Sequence, residues 1–475
     1  MIDANILQPL KNLLGPSGYR DDPEELAPWL TDWRGRYTGK AAAMLSPSNT
    51  AEVAEIVKFA STHRIALVPQ GGNSGMVAGA TPDESGDSLL LSMRRMNKFV
   101  AIDAASGDAI VESGLILQSF HEAVAPHGYR FPLTLGGKGS ATIGGLISTN
   151  AGGTQVLRHG TMRSLVLGIE AVLPDGSIFD GMAPLKKDNR GYDLKQLLIG
   201  GEGTIGIVTK AVLRTVPALI DRCVVWAGVK SPSDAYALLQ HLQRQAGSAL
   251  EGFEILPQSA LDAVLRHIPG TRSPLAGAHL WHVLIELVQD DAAQPAPTDL
   301  AQRLMAGAME AGLADDATLS ANEAQAEAFW KIRDSISEAE RAEGPALQHD
   351  VSVPVVDMAR FIEAETPDIE ARFPGTRVVA FGHLGDGNIH YHVKAPTGMT
   401  AEQYYSEYAE PISAHVYDRV EAYRGSLSAE HGIGMAKLAE FERLADPARL
   451  GVVRAIKTAL DPLNIMNPGK LVPLA

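Results

Sequence analysis

The sequence contains a single cysteine, Cys223, so no two thiols of this chain can form a bridge. An intrachain disulfide, a cysteine-ligated iron–sulfur cluster and a four-cysteine zinc site within this chain are therefore excluded. The N-terminus also lacks the basic and then apolar layout of a secretory signal. Few thiols are typical of a reducing compartment, and we expect a cytoplasmic protein.

Long apolar runs and positive charge are also scarce. No run of about 18 apolar residues occurs, and residues 218–229 are interrupted by Asp221 and Arg222, so no transmembrane segment is expected. The net charge is −15, which would repel nucleic-acid phosphates and argues against such a partner. A local basic pocket could still bind a small anion.

The 475 residues suffice for two or three domains, and three regions differ in texture. Residues 47–217 are rich in glycine and short aliphatic runs, which favours α/β structure. Residues 218–377 are rich in alanine, with a helical pattern that strand-like segments interrupt, which favours an α+β domain. The third region, after Arg377, contains a pair of strand-like runs, a long helical pattern and a C-terminal tail. Local patterns predict helices at residues 48–63, 321–342 and 400–423, and strands at residues 65–68, 88–91, 223–229 and 279–288.

Three glycine clusters lie at residues 69–75, 136–153 and 200–206. Glycine permits positive φ and close backbone approach, so successive N–H groups can converge on a phosphate. Ser140, Thr149 and Asn150 add side-chain hydrogen bonds. Each cluster alone is explained as well by tight turns, but three clusters with interspersed hydroxyl and amide residues indicate a nucleotide-like ligand.

A pair of short apolar runs flanks residues 385–388, whose Gly-Asp-Gly-Asn composition is typical of a hairpin turn. If these four residues form the loop, His383 lies directly opposite His390, with Cβ atoms about 5 Å apart. Two imidazoles at that distance can share one metal ion. His392 lies two residues further on the same face.

Glu430 and His431 form a second signal. In an extended segment their side chains point to opposite sides, so one can ligate a metal while the other faces another group. Two histidines and a carboxylate would leave coordination positions open for a substrate. The alternative interpretation is a hairpin whose histidines are surface or hydrogen-bonded core residues.

Residues 329–337 contain Arg333 and Ser337, which share a face if the segment is one helix. A guanidinium there could bind a carboxylate with two parallel hydrogen bonds. A surface arginine on a solvated helix is the alternative.

The order of these motifs, with TNAGG at residues 149–153, LPDG at 173–176 and GYDL at 191–194, resembles the vanillyl-alcohol oxidase/p-cresol methylhydroxylase family of FAD proteins. It is most similar to the branch of FAD-dependent D-2-hydroxyacid dehydrogenases, which contains D-2-hydroxyglutarate dehydrogenase, D-lactate dehydrogenase and the glycolate oxidase flavin subunit. The resemblance extends from about Leu45 to the end.

This resemblance implies an α+β fold. A two-part FAD-binding domain would occupy residues 1–217, and an α+β substrate and metal domain residues 218–425. A C-terminal segment, residues 426–475, would return to the flavin and complete the active site.

The resemblance also implies the FAD-binding residues. The turn at residues 71–75 would hold the pyrophosphate, and Ile207 and Val208 would lie near the adenine. No histidine stands in that turn and Cys223 lies outside the motifs, so we expect non-covalent FAD. The implied residues are Pro69, Gln70, Gly71, Gly72, Asn73, Ser74, Gly75, Pro132, Gly139, Ser140, Gly144, Gly145, Thr149, Asn150, Gly153, Gly160, Glu202, Gly203, Gly206, Ile207, Val208, Asn467 and Lys470.

In the other half, the resemblance implies His383, His390 and Glu430 as ligands of one divalent metal. Zinc is our first choice, and the same ligands suit manganese or iron. His431 would be the catalytic base. The remaining implied residues of the catalytic site are Arg333, Ser337, Asn388 and His392.

Two positions depart from the family pattern. Relatives in the D-2-hydroxyglutarate group usually carry lysine at the position of Gln348 and often asparagine at the position of His392. Loss of a cation at Gln348 weakens the case for a second substrate carboxylate. The imidazole of His392 could contact substrate or act as a fourth ligand.

We therefore predict FAD-dependent, metal-assisted oxidation of a D-2-hydroxy acid to a 2-oxo acid, with an electron-transfer flavoprotein or a quinone as acceptor. The substrate could be of D-2-hydroxyglutarate, D-lactate, D-malate or glycolate type. The rivals are a metal-independent flavin oxidase of alcohols or polyols, a glycolate-type oxidase subunit and a redox-inactive binding subunit. A homodimer is compatible with the sequence, which leaves the oligomeric state open.

Overall fold

The computed structural model describes residues 2 and 5–474, which form two compact units. The first unit comprises Met1–Gly153, Gly160–Pro217 and Glu430–Ala475. The second comprises Thr154–His159 and Ala218–Ala429. Among the described residues, no helix combines the length and apolar character needed to cross a membrane.

The first unit begins with a four-stranded sheet in the order β1-β2-β4-β3. Strands β2, β4 and β3 are parallel, and β1 is antiparallel to β2. Asn49 caps the long helix of this layer by accepting a hydrogen bond from the N–H of Glu52. The elements are α1 (Gln8–Gly18), β1 (Tyr19–Arg20), α2 (Pro23–Leu26), β2 (Ala43–Leu45), α3 (Thr50–His63), β3 (Ala66–Gln70) and β4 (Ser88–Ser92).

A five-stranded antiparallel sheet in the order β5-β6-β10-β8-β9 follows, and β7 pairs with β11. Its core is aliphatic and aromatic, with Phe120, Ile147 and Ile169 fully buried. The elements of this stretch of the chain, of which only α6 belongs to the second unit, are β5 (Phe99–Ile102), β6 (Asp108–Glu112), α4 (Leu117–Val124), β7 (Tyr129–Arg130), α5 (Ile143–Thr149), α6 (Val156–His159), α7 (Met162–Leu165), β8 (Val166–Val172), β9 (Ile178–Gly181), α8 (Lys195–Leu198), β10 (Ile207–Arg214) and β11 (Val216–Pro217).

The second unit contains α6 and a seven-stranded antiparallel sheet in the order β15-β12-β14-β13-β17-β18-β16. On one face, sheet residues such as Trp226 and Phe381 pack against α10, α12 and α13. The elements are β12 (Asp221–Val229), α9 (Pro232–Ala246), β13 (Leu250–Pro257), α10 (Gln258–His267), β14 (Trp281–Gln289), α11 (Pro297–Glu310), β15 (Asp316–Leu319), α12 (Glu323–Asp334), α13 (Ile336–Ala342), β16 (Ala346–Ser352), α14 (Val355–Arg372), β17 (Arg377–His383), β18 (Asn388–Lys394) and α15 (Ala401–Ala422).

The short helix α6 is fixed to this sheet by ion pairs. Arg158 contacts Glu251 at 2.8 Å and Asp290 at 2.6 Å, and all three side chains are largely buried.

The C-terminal segment belongs to the first unit and contains α16 (Leu438–Leu444) and α17 (Pro447–Leu460). Beyond α17 the chain runs parallel to β3, where the N–H of Leu67 donates to the carbonyl of Ile465 and the N–H of Asn467 donates to the carbonyl of Leu67. Lys457 on α17 is buried and donates to Asp461 and to the carbonyls of Thr204 and Met466.

The predicted helices at residues 48–63 and 400–423 are confirmed as α3 and α15. The predicted strands are confirmed as β3, β4, β12 and β14, with ends that differ by a few residues.

The predicted register of the hairpin at residues 385–388 is wrong. Its loop is residues 384–387, so His383 pairs with Asn388 and His390 pairs with Phe381. The turn closes one residue earlier because Gly387 adopts a φ of 87° and the Asp386 carboxylate accepts the N–H of Asn388. The observed pairing is shifted by two residues from the predicted one. Because side chains alternate between the faces with a period of two, His383 and His390 still lie on the same face, as diagonal rather than direct neighbours.

Candidate active site

The predicted pyrophosphate turn, residues 71–75, follows directly after β3. Its start is fixed by the buried Gln70, whose side-chain amide donates to the carbonyls of Trp29 and Ala80, both at 3.0 Å. Asn73 has a φ of 51° and donates from its side chain to the carbonyl of Thr31. Within the described chain, no N–H of residues 72–75 donates to a backbone carbonyl outside the helices and strands. These N–H groups are therefore available to an anionic ligand.

Two glycines of this turn have opposite surroundings. A Cβ on Gly72 would lie 1.7 Å from the carbonyl oxygen of Ser140, so the two glycine clusters pack backbone against backbone. A Cβ on Gly75 would meet no described heavy atom within 4 Å. Gly139, in the second cluster, also faces open space. Tight packing on one side and open space on the other fit a cradle for a bound phosphate group.

All other predicted FAD residues also belong to the first unit. Gly144, Gly145 and Thr149 lie on α5, and Asn150 ends that helix with a φ of 51°. Gly153 packs closely on the carbonyl of Thr134. The remaining predicted residues lie in the loops or strand ends around β3, α5, β10 and the C-terminal tail, namely Pro69, Ser74, Pro132, Gly160, Gly203, Gly206, Ile207, Val208 and Lys470.

Glu202, which was also predicted to bind FAD, holds the C-terminal segment of its own unit. Its carboxylate accepts the N–H groups of Ile433 and Gly434, both at 2.7 Å. Burial raises the pKa of Glu202 to about 6, although these N–H groups lower it. The Asn467 side chain donates to the carbonyl of Glu202 at 2.8 Å. Glu202 therefore orders the backbone that follows Glu430 and His431.

Glu430 and His431 lie in a bend rather than in an extended strand, and both are half-buried. The next residue, Gly432, has a φ of 81°, which reverses the chain locally. The predicted alternation of the two side chains on opposite sides of a strand therefore does not apply.

The second unit carries a row of polar side chains across one sheet face. Glu254 on β13 pairs with His383 on β17, and His383 pairs with Asn388 on β18. One step along the same face, His390 pairs with Asp350 on β16. Directly paired residues of adjacent strands point to the same side of the sheet, so these five side chains form one polar cluster.

A carboxylate shared by two cationic or potentially cationic groups lies at the centre of the cluster. Oε1 of Glu254 accepts from Nδ1 of His383 at 2.6 Å, and Oε2 accepts from Nε of Arg333 at 2.8 Å. Burial alone would raise the pKa of Glu254, but Arg333 and His383 lower it to about 2. Arg333, on α12, is thus held over the polar face as a fixed cation.

The two predicted histidine ligands of this unit are close to each other, with ring centroids 5.5 Å apart. Burial lowers the pKa of His390 well below its usual value, and the nearby charge of Arg333 lowers it further. His390 is therefore a neutral imidazole, which is the form that binds a metal. His392 is buried two residues further along, against the ring of Phe381.

Asn388 is buried, and its side-chain amide donates to the carboxylate of Asp350 at 2.9 Å and to the carbonyl of Val351 at 3.0 Å. Its Oδ1 has no hydrogen-bond partner among the described residues. A buried acceptor without a partner is costly, so a ligand that reaches this face would gain a hydrogen bond or a coordination bond there.

The single helix predicted at residues 321–342 is divided at Ser335, between α12 and α13. Arg333 lies in the last turn of α12 with a side chain that is 11% exposed, whereas Ser337 lies on α13 and is exposed. Aspartate and serine are residue types that disfavour helix interiors, and Asp334 and Ser335 lie at the break.

The donor chemistry of this face fits a divalent metal. Two imidazoles lie side by side, one is neutral and the other donates Nδ1–H to a carboxylate, as metal-bound histidines commonly do. Glu254 and Asp350 were missed by the sequence analysis. The available signal was a carboxylate inside an apolar strand, in FEIL at residues 253–256 and in HDVS at residues 349–352.

Comparison with known proteins identifies the family. Residues 41–181 match the model of an FAD binding domain, and residues 220–471 match the C-terminal domain of FAD linked oxidases. The chain is similar to the mitochondrial D-2-hydroxyglutarate dehydrogenase of Arabidopsis thaliana, with 36% identity over 473 residues, 99% of this chain and 82% of the relative. It is 35% identical to the mitochondrial enzyme of Bos taurus over 457 residues, 95% of this chain and 80% of the relative.

A bacterial relative, D-2-hydroxyglutarate dehydrogenase of Xanthomonas citri pv. viticola, is 33% identical over 99% of this chain and 97% of its own length. In fold, the structure is similar to p-cresol methylhydroxylase, with a TM-score of 0.74 and 16% identity over 98% of this chain and 96% of the other. The family and fold class predicted from the motifs are confirmed. The chain belongs to the FAD-linked oxidases, with an FAD-binding domain of vanillyl-alcohol oxidase/p-cresol methylhydroxylase type and an oxidase domain C-terminal to it.

Proposed function

We propose that the protein oxidises a D-2-hydroxy acid to the corresponding 2-oxo acid. The observation that carries the proposal is the polar sheet face of the second unit, where the fixed guanidinium of Arg333 lies beside the imidazoles of His383 and His390. A 2-hydroxy acid needs a cation for its carboxylate and a polarising group for its hydroxyl. Relatives named D-2-hydroxyglutarate dehydrogenase, aligned over nearly the whole chain, support this substrate class.

The first unit would hold FAD through the turn at residues 71–75 and the second glycine cluster. Bound FAD supplies the hydride acceptor. The chain's own groups bind and orient the cofactor, with unpaired N–H groups facing the phosphates. We propose that FAD is bound non-covalently.

The metal remains part of the proposal, with His383, His390 and Glu430 as ligands and zinc as first choice. A bound divalent metal would lower the pKa of a substrate hydroxyl. His431 would accept the hydroxyl proton as general base. The Arg333 guanidinium, held by Glu254 through its Nε, would bind the substrate carboxylate.

The side chains of Gln348 and His392 would select the size of the substrate. These two residues are direct neighbours across β16 and β18. Neither residue is a lysine or an arginine, so this position offers no permanent cation for a second carboxylate. We therefore favour a substrate with a short or uncharged tail, of D-lactate type, over a dicarboxylate. Ser337 and Asn388 stay candidates for substrate contact.

The acceptor of the electrons is proposed to be an electron-transfer flavoprotein or a quinone. A cytoplasmic location and a homodimer are further expectations from the sequence.

The test is anaerobic flavin reduction, followed as loss of the oxidised flavin absorbance, with matched D- and L-2-hydroxy acids before and after EDTA. Reduction by one D-acid that EDTA abolishes supports the flavin, the substrate class and the metal together. Reduction that survives EDTA, with hydrogen peroxide released in air, would instead favour the metal-independent oxidase. No reduction by any 2-hydroxy acid would refute the proposed substrate class.

A further inference from the structure

Glu254 is a buried carboxylate in the middle of an apolar strand, and it contacts two groups of the proposed site. We infer that Glu254 is a positioning residue, which holds the His383 imidazole in its metal-binding tautomer and holds Arg333 in place for a substrate carboxylate. This inference rests on the proposed function, because it concerns the metal and substrate of that site.

Both oxygens of the carboxylate are used, each for a different partner. Oε1 accepts from Nδ1 of His383 at 2.6 Å, and Oε2 accepts from Nε of Arg333 at 2.8 Å. Glu254 is 1% exposed, so water does not compete for these contacts. The backbone fixes the first contact, because Glu254 and His383 are direct partners in the β13–β17 ladder.

Two independent contacts require the same tautomer of His383. A carboxylate can only accept at Nδ1, so this nitrogen carries the proton. Arg333 approaches the other ring nitrogen with Nη2, 3.3 Å from Nε2. A guanidinium can only donate, so Nε2 carries the lone pair. A metal ligand requires this lone pair, so a bound metal would replace the Arg333 N–H at Nε2, while the carboxylate on the opposite nitrogen is the usual support of such a ligand.

A purely stabilising ion pair is the competing explanation, and the same strand supplies an example. Glu251, also on β13 and 1% exposed, pairs with Arg158 at 2.8 Å. Glu251 also lies 3.5 Å from Nε2 of His159, and neither His159 nor Arg158 is a residue of the proposed metal and substrate site. The two glutamates are thus a matched pair, alike in strand, burial and arginine partner, and different in contact with a proposed ligand.

The experiment compares E254Q with E251Q in the FAD-loaded protein, by competition for Zn²⁺ against a chelator. In E254Q, an amide that accepts from Arg333 presents its NH₂ to Nδ1 of His383 and drives the proton to Nε2, where it blocks the metal. We expect Zn²⁺ affinity to fall by about 10- to 100-fold in E254Q. FAD content should stay unchanged, and E251Q should bind Zn²⁺ like wild type despite any loss of stability.

A second readout does not require E254Q to fold. In ¹⁵N-histidine-labelled wild type, the His383 signals, assigned with His383→Gln, should report a proton on Nδ1 and none on Nε2. A proton on Nε2 overturns the inference. So does an equal loss of Zn²⁺ affinity in E254Q and E251Q, unchanged affinity in E254Q, or no saturable Zn²⁺ binding by wild type. If Zn²⁺ binding follows the expected pattern while no 2-hydroxy acid reduces the flavin, the proposed function fails and the inference about Glu254 stands.

Discussion

Gly72→Ala tests the tightly packed side of the glycine-lined cradle at residues 71–75. The added Cβ would lie 1.7 Å from the carbonyl oxygen of Ser140, whereas real Cβ contacts are rarely below 3.0 Å. The backbone must therefore move by about 1.3 Å, the difference between these two distances. Neither atom can rotate away, because the added Cβ is bonded directly to the main chain and the oxygen of Ser140 is a main-chain carbonyl.

The expected cost lies in the upper part of the range for overpacking, about 2–3 kcal/mol. For a unit of this size, the melting temperature of the apoprotein should fall by roughly 4–12 °C. Displacement of the turn also misplaces the N–H groups that we propose bind the phosphates. A loss of about 1.4 kcal/mol in that contact weakens FAD binding tenfold, so we expect a dissociation constant at least about ten times larger.

Gly75→Ala is the matched control in the same turn. Its Cβ would meet no described atom within 4 Å, and its φ is not positive, so the apoprotein should melt like wild type. If the open space is the phosphate site, this variant should still bind FAD more weakly. The assay is thermal unfolding of deflavinated protein, together with FAD titration followed by quenching of flavin fluorescence.

The outcome that would refute the reasoning is an unchanged melting temperature and unchanged FAD affinity for Gly72→Ala. A Gly75→Ala protein that loses apoprotein stability would contradict the assignment of open space to that side. Unchanged FAD affinity in Gly75→Ala would move the phosphate away from the turn.

Three further predictions concern other groups of the same unit. Lys457→Met leaves the buried Asp461 carboxylate without its cation and should cost about 3–5 kcal/mol in urea unfolding, while the double variant with Asp461→Asn should recover most of the loss; a single variant as stable as wild type would contradict this. Burial raises the pKa of Glu202 from 4.5 to about 6, so its stabilising contribution is present below 4.5 and lost as the pH rises through 6. From about pH 5 to about pH 7.5, the free energy of unfolding of wild type should fall by about 1 kcal/mol relative to that of Glu202→Gln. Curves of stability against pH that stay parallel for the two proteins would contradict this prediction. His431→Asn should keep FAD and slow its reduction by about 10²- to 10⁴-fold, and near-normal stopped-flow reduction would remove the proposed base.

Local patterns in the sequence were sufficient for much of the fold. The apolar spacing of residues 53–60 and the Asn49 cap define α3, and both signals lie within one helix. The hairpin register was not predictable in the same way. Gly-Asp-Gly-Asn can close at either of two frames, and the choice depends on the Asp386 side chain and on the left-handed Gly387.

The polar contacts of the site were the least predictable part. Glu254 lies 79 residues from Arg333 and 129 from His383, so no local pattern joins them. The family resemblance implied Glu202 as an FAD residue, but nothing in the sequence indicated that its carboxylate contacts Ile433, 231 residues away. A carboxylate in an apolar segment indicates that it needs a partner. Only the three-dimensional pairing of strands and loops shows which residue that partner is.

The C-terminal segment can pair with β3 only late in synthesis, because the two segments are far apart in the sequence. Asn467 donates to the carbonyl of Gly79, 388 residues earlier in the chain. At about 5–20 residues per second, the ribosome needs roughly 20–80 s to travel that distance. During this interval the edge of β3 lacks its neighbour and is open to pairing with other chains. We expect nascent chains to need shielding at this edge, and FAD to be captured only after the segment that contains Asn467 has been synthesised.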